Sequence, residues 1–169
     1  MGEHQRLGRC RCGQVELMLS GSPIASLICH CDDCQAGSAR LATLPGNGPV
    51  MDAAGGTAHV SWRKDRMRVV RGQALLREIR LRANSATVRL YAACCGTPMV
   101  MIFEDARHWV AIYRDCLDAP VLDPQWRIMT RFIPEAVQVP EDIPVFRRIP
   151  LPMVWRLLSS RIAMAFGRQ

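Results

Sequence analysis

The chain has 169 residues, of which 49% are hydrophobic and 22% are charged, with a formal net charge of +7. This composition is typical of a single soluble globular domain and excludes disordered and fibrous classes. The arginines are scattered, with no block of five or more, which argues against nucleic acid as a partner.

The chain also carries no sign of export or membrane insertion. Its first residues, MGEHQRLGRCRCG, lack the apolar stretch of a signal peptide. No uncharged apolar run reaches 18 residues, so no transmembrane segment is predicted. We therefore expect a cytoplasmic location. In that compartment eight cysteines indicate metal binding or catalysis more often than disulfides.

Short runs of β-branched and apolar residues, separated by turn residues every 8–15 positions, predict a mainly β domain of short antiparallel strands. The two most apolar runs, 98–103 and 108–113, should lie at the centre of a sheet. In chain order the predicted strands are 14–20, 39–44, 58–62, 66–72, 75–82, 86–91, 98–103 and 108–113.

The composition changes after Tyr113, since seven of the eleven prolines follow this residue. We expect a zinc-binding β domain over 1–118, an extended proline-rich wrap over 119–152 and an amphipathic helix over 153–168. One face of that helix carries Trp155 and other apolar residues. This face could pack on its own domain, on a partner or second copy, or on a membrane surface.

Seven cysteines form three clusters along the chain. Cys10 and Cys12 make a C-x-C motif, and Cys94 and Cys95 are adjacent. Zinc in a structural site takes four thiolate or imidazole ligands, so neither pair can complete a shell alone. We predict that the two pairs share one zinc ion, which would tie the first strand to a distant part of the chain.

The middle cluster, Cys29, Cys31 and Cys34, can reach one metal without help and leaves one coordination position open. Three protein ligands with one open position are typical of catalytic zinc. Two alternatives stay open: both clusters could be closed structural sites, or the middle cluster could be a redox dithiol. Substitution of Cys31 should separate the catalytic from the structural interpretation.

The motifs GRCRCGQVEL, CHCDDCQAGSA and CCGTPM resemble, in order and spacing, those of the glutathione-dependent formaldehyde-activating enzyme family, which includes the centromere protein V group. The resemblance covers residues 7–116. It implies a zinc-stapled β-tent-type fold and two Zn²⁺ sites. The structural site would fall on Cys10, Cys12 and Cys95, and the catalytic one on Cys29, Cys31 and Cys34.

The resemblance also implies an activity, a carbon–sulfur lyase type reaction that joins glutathione and formaldehyde to give S-hydroxymethylglutathione. The alternative is a non-catalytic zinc module that binds a partner through its basic strands or its C-terminal helix, where a homodimer is also conceivable. Candidate cations for the glutathione carboxylates are Arg9, Arg11 and Arg40.

The third motif departs from the family pattern, since Ala92 stands where the family has its first cysteine. Adjacent cysteines on a regular strand point to opposite faces, so Cys94 and Cys95 can share a metal only if a turn intervenes. Gly96 and Pro98 favour such a turn. Cys94 is therefore our predicted fourth ligand, with Cys116 as the alternative.

Three residues inside the middle cluster are assigned supporting roles. His30 alternates with the cysteines and should point away from the metal. Asp32 and Asp33 are expected to form the turn rather than act as general bases.

Overall fold

The computed structural model describes residues 5–120 and 122–167. The predicted boundaries that fall on residues 1–4, on 121 and on 168–169 lie outside the described residues. Within the described ranges the chain forms two α-helices, α1 (Asp32–Ala42) and α2 (Leu151–Ala165), and ten strands. These are β1 (Gln5–Arg9), β2 (Glu16–Ser20), β3 (Ala25–Cys29), β4 (Thr57–Arg63), β5 (Met67–Arg71), β6 (Leu76–Ile79), β7 (Thr87–Ala92), β8 (Pro98–Phe103), β9 (Trp109–Tyr113) and β10 (Trp126–Ile128).

The strands form two sheets. The smaller has the order β1-β2-β5, and the larger has the order β10-β3-β4-β9-β8-β7-β6. Neighbouring strands are antiparallel except β10, which pairs in parallel with β3. The predicted mainly β fold with a C-terminal helix is thus confirmed. The two most apolar strands, β8 and β9, lie inside the larger sheet as expected.

One hydrophobic core lies between the two sheets. Side chains alternate between the faces of each strand, so Val60 and Trp62 of β4 point to the same side. They pack with Ile112 of β9 against Leu17 and Leu19 of the smaller sheet, and all five are at most 1% exposed. Cys10 belongs to this core, which places the first cysteine pair at its edge.

A second core covers the opposite face of the larger sheet. Leu27 of β3 and Met101 of β8 meet Leu41 of α1 and Met153 of α2 there. Cys29 and Cys34 belong to this core. The two groups of cysteines therefore lie on opposite faces of the same sheet.

The predicted strand over 39–44 is wrong, because residues 39–42 are the last part of α1. Two physical features start this helix where the sequence interpretation placed a turn. The Cys31 sulfur caps it by accepting a bond from the Cys34 amide, and Asp32 and Asp33 lie in its positive first turn. Strands β1, β3 and β10 were not predicted.

Helix α2 is docked on the body of the protein through its polar side and Met153. Arg156 donates to the Gln125 side chain at 2.5 Å and lies over the Trp126 ring, 4.7 Å from its centroid. Arg161 donates to the Ala106 carbonyl at 3.0 Å. Leu157 also packs against the second core, whereas Leu151, Trp155 and Phe166 are exposed, so one apolar face of α2 points outward.

Segment 119–152 also contributes β10 to the larger sheet. The division of the chain at 118 and 152 stays a prediction. Among the described residues, no helix combines the length and apolar character needed to cross a membrane.

Candidate metal centres

The first cysteine pair lies in the tight turn between β1 and β2. Gly13 has a φ of 72°, a conformation that favours glycine, and its amide donates to the Cys10 carbonyl at 2.8 Å. The Val15 amide donates to the Cys10 sulfur at 3.2 Å. The turn thus folds the chain back so that both sulfurs, Cys10 and Cys12, can meet the same point.

The second pair lies in the turn that follows β7. Gly96 has a φ of 75°, and the amides of Cys95 and Gly96 both donate to the Ala92 carbonyl. This turn interrupts the strand alternation that would otherwise send Cys94 and Cys95 to opposite faces. The predicted intervening turn is present.

The two turns bring four sulfurs together, with all of them within 4.8 Å of one another. The Cys10 sulfur lies 3.6 Å from that of Cys12 and 3.8 Å from that of Cys94. Cys94 is 3.3 Å from Cys12 and 3.9 Å from Cys95. Tetrahedral zinc with Zn–S bonds of about 2.3 Å separates its sulfurs by about 3.8 Å, so this first cluster fits such an ion.

Neighbouring polar groups hold the first cluster in place. The Thr97 hydroxyl lies 3.1 Å from the Cys95 sulfur and accepts a bond from the Arg11 amide at 3.2 Å. The Arg11 side chain donates to the carbonyls of Gly46 and Cys95. Burial opposes ionisation of Cys95, but the bonds from Thr97 and the Cys12 backbone outweigh it and lower the pKa of Cys95 to about 6.

The second cluster forms where β3 passes into α1. Cys29 is the last residue of β3, Cys31 caps α1, and Cys34 lies in the first turn of the helix. Their sulfurs lie within 4.8 Å of one another. Within residues 5–120 and 122–167, no further Cys, His, Asp or Glu joins this group.

Without a cation, the three sulfurs of the second cluster do not ionise equally. Hydrogen bonds from Cys29 and Cys34, with the Cys34 amide at the helix N-terminus, lower the pKa of Cys31 to about 2. The bond with Cys31 and burial raise the pKa of Cys29 to about 12, and the neighbouring thiols raise the pKa of Cys34. The cluster thus offers one thiolate and two thiols, which a divalent metal would convert to thiolates.

A row of buried polar side chains crosses the sheet beneath α1. Arg89 of β7 is 1% exposed, and its Nη2 donates to the Asp33 carbonyl at 2.6 Å. His59 and Tyr113 are in edge-to-face contact, with ring centroids 5.0 Å apart. Burial lowers the pKa of His59 to about 4 and raises that of Tyr113. Arg89 is therefore the permanent cation beside the second cluster.

Gly37 allows Arg89 to lie against α1. A Cβ atom at this position would lie 2.0 Å from Nε and 2.5 Å from Cζ of Arg89. Non-bonded atoms do not approach so closely, so a side chain at position 37 would force the buried Arg89 side chain to shift. The small residues that follow the cysteines thus bring a guanidinium to the helix, rather than exposing the backbone to a ligand.

Arg89, His59 and Tyr113 are not among the site residues predicted from the sequence. Strand alternation places Arg89 on the same face as Thr87 and Tyr91. Nothing in the pattern of a basic strand distinguishes a buried arginine such as Arg89 from an exposed one. A sequence signal for this row is absent because the strands that carry it are paired through residues far apart in the chain.

His30 does not join the second cluster. It is fully buried, and its Nδ1 lies 3.2 Å from the Ala54 carbonyl. Asp32 and Asp33 lie in the first turn of α1, and the Asp32 carboxylate accepts from the Asp33 amide. Asp32 and Asp33 thus begin a helix instead of the predicted turn. Burial lowers the pKa of His30, so it is neutral near pH 7.

Cys116 lies apart from both clusters. It is 2% exposed, its sulfur faces the Met99 carbonyl at 3.4 Å, and burial raises its pKa. This is the environment of a small buried apolar residue. The fourth sulfur of the first cluster therefore comes from Cys94 and not from Cys116.

The three candidate cations for a carboxylate have different surroundings. Arg9 pairs with Glu16 and Asp118, at 3.2 Å and 2.8 Å. Arg11 supports the first cluster, and Arg40, on α1, donates to the Arg80 carbonyl at 3.1 Å. Arg40 is the only one of the three that shares an element with the second cluster.

A cavity of about 510 Å³ opens beside the first cluster and is lined in part by Arg11, Thr97 and Pro98. Ile28 also lines it, and Ile28 alternates with Cys29 along β3. Through Ile28 this cavity reaches the sheet face opposite the second cluster.

Residues 5–46 match the family model described as glutathione-dependent formaldehyde-activating enzyme. The match covers 42 of the 169 residues, at the N-terminal side of the described structure. The matched segment contains the first cysteine pair and the whole second cluster, while Cys94 and Cys95 lie beyond it. The match therefore covers five of the seven clustered cysteines.

Two further comparisons are available. A crystal structure of a protein from Rhodobacter sphaeroides aligns with this chain at a TM-score of 0.47 and 17% sequence identity. The alignment covers 82% of this chain and 98% of that one. No curated protein matches the chain at a significant level.

Proposed function

We propose that the protein is a zinc-dependent enzyme of the carbon–sulfur lyase type that interconverts S-hydroxymethylglutathione with glutathione and formaldehyde. The observation that carries this proposal is the unequal size of the two cysteine clusters. Four sulfurs complete the first cluster, whereas three described ligands form the second. The family match supports the choice of glutathione and formaldehyde as reactants.

The four cysteines Cys10, Cys12, Cys94 and Cys95 would hold a structural zinc ion. Cys29, Cys31 and Cys34 would hold the second one and leave a position for a substrate sulfur. Zinc bound there supplies the positive charge that stabilises a thiolate at neutral pH. Three thiolate ligands weaken its Lewis acidity, so holding a soft ligand suits it better than polarising a carbonyl.

The reaction is an addition without any change of oxidation state. The glutathione sulfur, having lost its proton, forms a bond to the carbonyl carbon of formaldehyde. The π electrons of the C=O bond move to the oxygen, which takes up a proton to become the hydroxyl of the adduct. In the reverse direction the C–S bond breaks and formaldehyde leaves. Most of the acceleration would come from holding the two reactants together.

The residues around the second cluster suit this chemistry. The Arg89 guanidinium lies against the helical turn that carries Cys34 and offsets the net negative charge of three thiolates around a divalent ion. The amide of Cys34 donates to the Cys31 sulfur at 3.4 Å and stabilises its thiolate form. Arg40 is the nearest candidate along the chain for a glutathione carboxylate.

The alternative is a non-catalytic zinc module that binds a partner through its basic strands or through α2. The outward apolar face of α2 favours it, because the large side chains of that face are mostly exposed to solvent. The two functions differ in what they require of the second cluster. An enzyme needs an accessible metal there, whereas a binding module needs only a folded domain.

The deciding experiment combines a zinc count with a rate measurement on Cys31→Ser. Glutathione and formaldehyde combine spontaneously, so the measurement is the exchange rate between free and bound [¹³C]formaldehyde by NMR, with and without protein. We expect two zinc ions per chain in the native protein and one in the variant. The exchange should return to the spontaneous rate, while the thermal unfolding temperature stays close to the native value.

Cys116→Ala is the matched control, since it removes a buried thiol outside both clusters. It should keep both zinc ions and the native exchange rate. A native protein that holds two zinc ions without accelerating the exchange would overturn the enzymatic proposal and favour the binding module.

We also propose the cytoplasm as the location of the protein. All eight cysteines are free of disulfides. Metal-binding thiols persist in the reducing conditions of that compartment, where glutathione is also abundant.

A further inference from the structure

Helix α2 presents a continuous stripe of large apolar side chains to solvent. Leu151 is 82% exposed, Trp155 70%, Leu158 51%, Ile162 56% and Phe166 74%. The spacing of four, three, four and four residues places them on one side of the helix. We call these five residues the α2 stripe. Side chains of this size are seldom left so exposed in a contiguous row unless they meet a partner.

The body of the protein is not the missing partner. The opposite side of α2 already carries Met153, which is 6% exposed, and Arg156, which bonds Gln125 and lies over Trp126. Arg161 bonds the Ala106 carbonyl. These contacts fix the rotation of the helix, so the stripe cannot turn inward without breaking them.

The C-terminal segment that carries the stripe has charged residues of only one sign. From Ile143 to the last residue the sequence contains five arginines and no aspartate or glutamate. Arg147 and Arg148 are exposed and form no salt bridge among the described residues, and Arg161 flanks the stripe. An apolar stripe with tryptophan and phenylalanine, on a segment whose only charged residues are arginines, is complementary to a layer of acyl chains beneath anionic headgroups.

We infer that α2 binds to the surface of a membrane that contains anionic lipids. The helix lies on the bilayer rather than across it, because its 15 residues span about 22 Å against a hydrocarbon thickness of about 30 Å. A second copy of the chain would suit the stripe less well. An antiparallel pair of α2 helices would bring the arginines of both copies together with no acidic residue on either helix.

The test uses the full chain with two kinds of phosphatidylcholine vesicle. One kind contains about 30% phosphatidylglycerol, an anionic lipid, and the other contains none. We expect the protein to sediment with the anionic vesicles and to bind them more weakly at about 0.5 M salt. The tryptophan fluorescence should shift to the blue as Trp155 enters the headgroup region. Binding to the neutral vesicles should be at least about tenfold weaker, since each nearby arginine contributes to attraction by anionic lipid.

Trp155→Glu should reduce binding to the anionic vesicles by at least about tenfold, because it removes an aromatic anchor and adds a repelled charge. Val70→Glu is the matched control. Val70 lies on β5 and is 45% exposed, so the change makes the same kind of apolar-to-acidic substitution away from α2. It should leave binding unchanged.

The oligomeric state without vesicles completes the test. Sedimentation equilibrium should show a monomer for the native protein and for both variants. A native dimer that Trp155→Glu converts to a monomer would overturn the inference, because the stripe would then be a subunit interface. A monomer that binds neither kind of vesicle, or binds both equally, would overturn it as well.

Discussion

The absence of a Cβ atom at Gly37 allows α1 to pack closely against Arg89 of the sheet. In Gly37→Ala the new Cβ would lie 2.0 Å from Nε of the buried Arg89 side chain. Alanine favours helices more than glycine by about 1 kcal/mol, but overpacking in a filled core costs about 1–3 kcal/mol and should prevail here. We expect a lower free energy of unfolding, measured by urea titration, and a weaker affinity for the second zinc ion.

Gly48→Ala is the matched control for this prediction. A Cβ at Gly48 meets no atom within 4 Å, and its backbone φ lies outside the left-handed region. The unfolding free energy of this variant should stay within about 0.5 kcal/mol of the native value. If Gly37→Ala proves as stable as Gly48→Ala, the close packing of Arg89 against α1 is refuted.

The residues of the candidate site were predictable to different degrees. Cysteine spacing indicated both clusters, because the cysteines of each motif are only a few residues apart and can be recognised from the local sequence. Whether Cys94 could join the first cluster depended on one turn, which Gly96 and Pro98 already indicated. Arg89 could not be found this way, since its burial follows from the pairing of β7 with β8 and the position of α1.

At the scale of elements, Arg127 joins β10 to two loops. It is 5% exposed, and it bonds Asp52 at 2.6 Å and Asp142 at 3.0 Å. Burial opposes ionisation of Asp52, but the Arg127 bond and the Gly56 amide outweigh it and lower its pKa. Arg127 also lowers the pKa of Asp142. Both carboxyl groups therefore stabilise the fold above their usual pKa of 3.8, and this contribution is lost as the pH falls below that value.

Arg127→Met should remove this contribution. We expect the free energy of unfolding at pH 7 to fall by about 1–3 kcal/mol, because a buried cation and its hydrogen bonds are lost while the carboxylates remain partly hydrated. As the pH falls from about 4 to about 2, the native protein should lose more stability than the variant. Both carry the same cysteines, so metal release in acid affects them alike.

Urea titrations at several pH values measure both effects. Arg114→Met serves as control, since its partner Asp123 is 94% exposed and the loss of such a surface pair should cost less than about 1 kcal/mol. Parallel stability curves for the native protein and Arg127→Met would show that these ion pairs do not stabilise β10.

Helices and strands could be predicted from the sequence only where their hydrophobic pattern was clear. Strands β4, β7, β8 and β9 were located within one residue at most of their ends, because their apolar runs are bounded by turn residues. Helix α1 was missed because its buried positions are Cys34, Gly37, Ser38 and Leu41, a set in which only the leucine reads as strongly apolar. β10 was missed because prolines on both sides favoured coil.

At the scale of the whole molecule, the first cluster connects the β1–β2 turn to the turn after β7. Sulfurs from Cys12 and Cys94, 82 residues apart in sequence, lie 3.3 Å from each other. A crosslink closing a loop of this length lowers the entropy of the unfolded chain by an amount worth about 4 kcal/mol at 25 °C. Zinc at the first cluster should therefore stabilise the entire fold, whereas zinc at the second spans only a few residues and should affect stability less.

Cys94→Ser tests this difference. We expect it to lower the free energy of unfolding by about 4 kcal/mol, or the unfolding temperature by roughly 8–16 °C for a chain of this size. Cys31→Ser should cost much less, although each variant loses one ligand. Calorimetry with a parallel zinc count measures both, and Cys116→Ala controls for the loss of a thiol as such. Equal losses of stability in Cys94→Ser and Cys31→Ser would mean that both sites hold the fold together, which would remove the physical basis for assigning catalysis to the second.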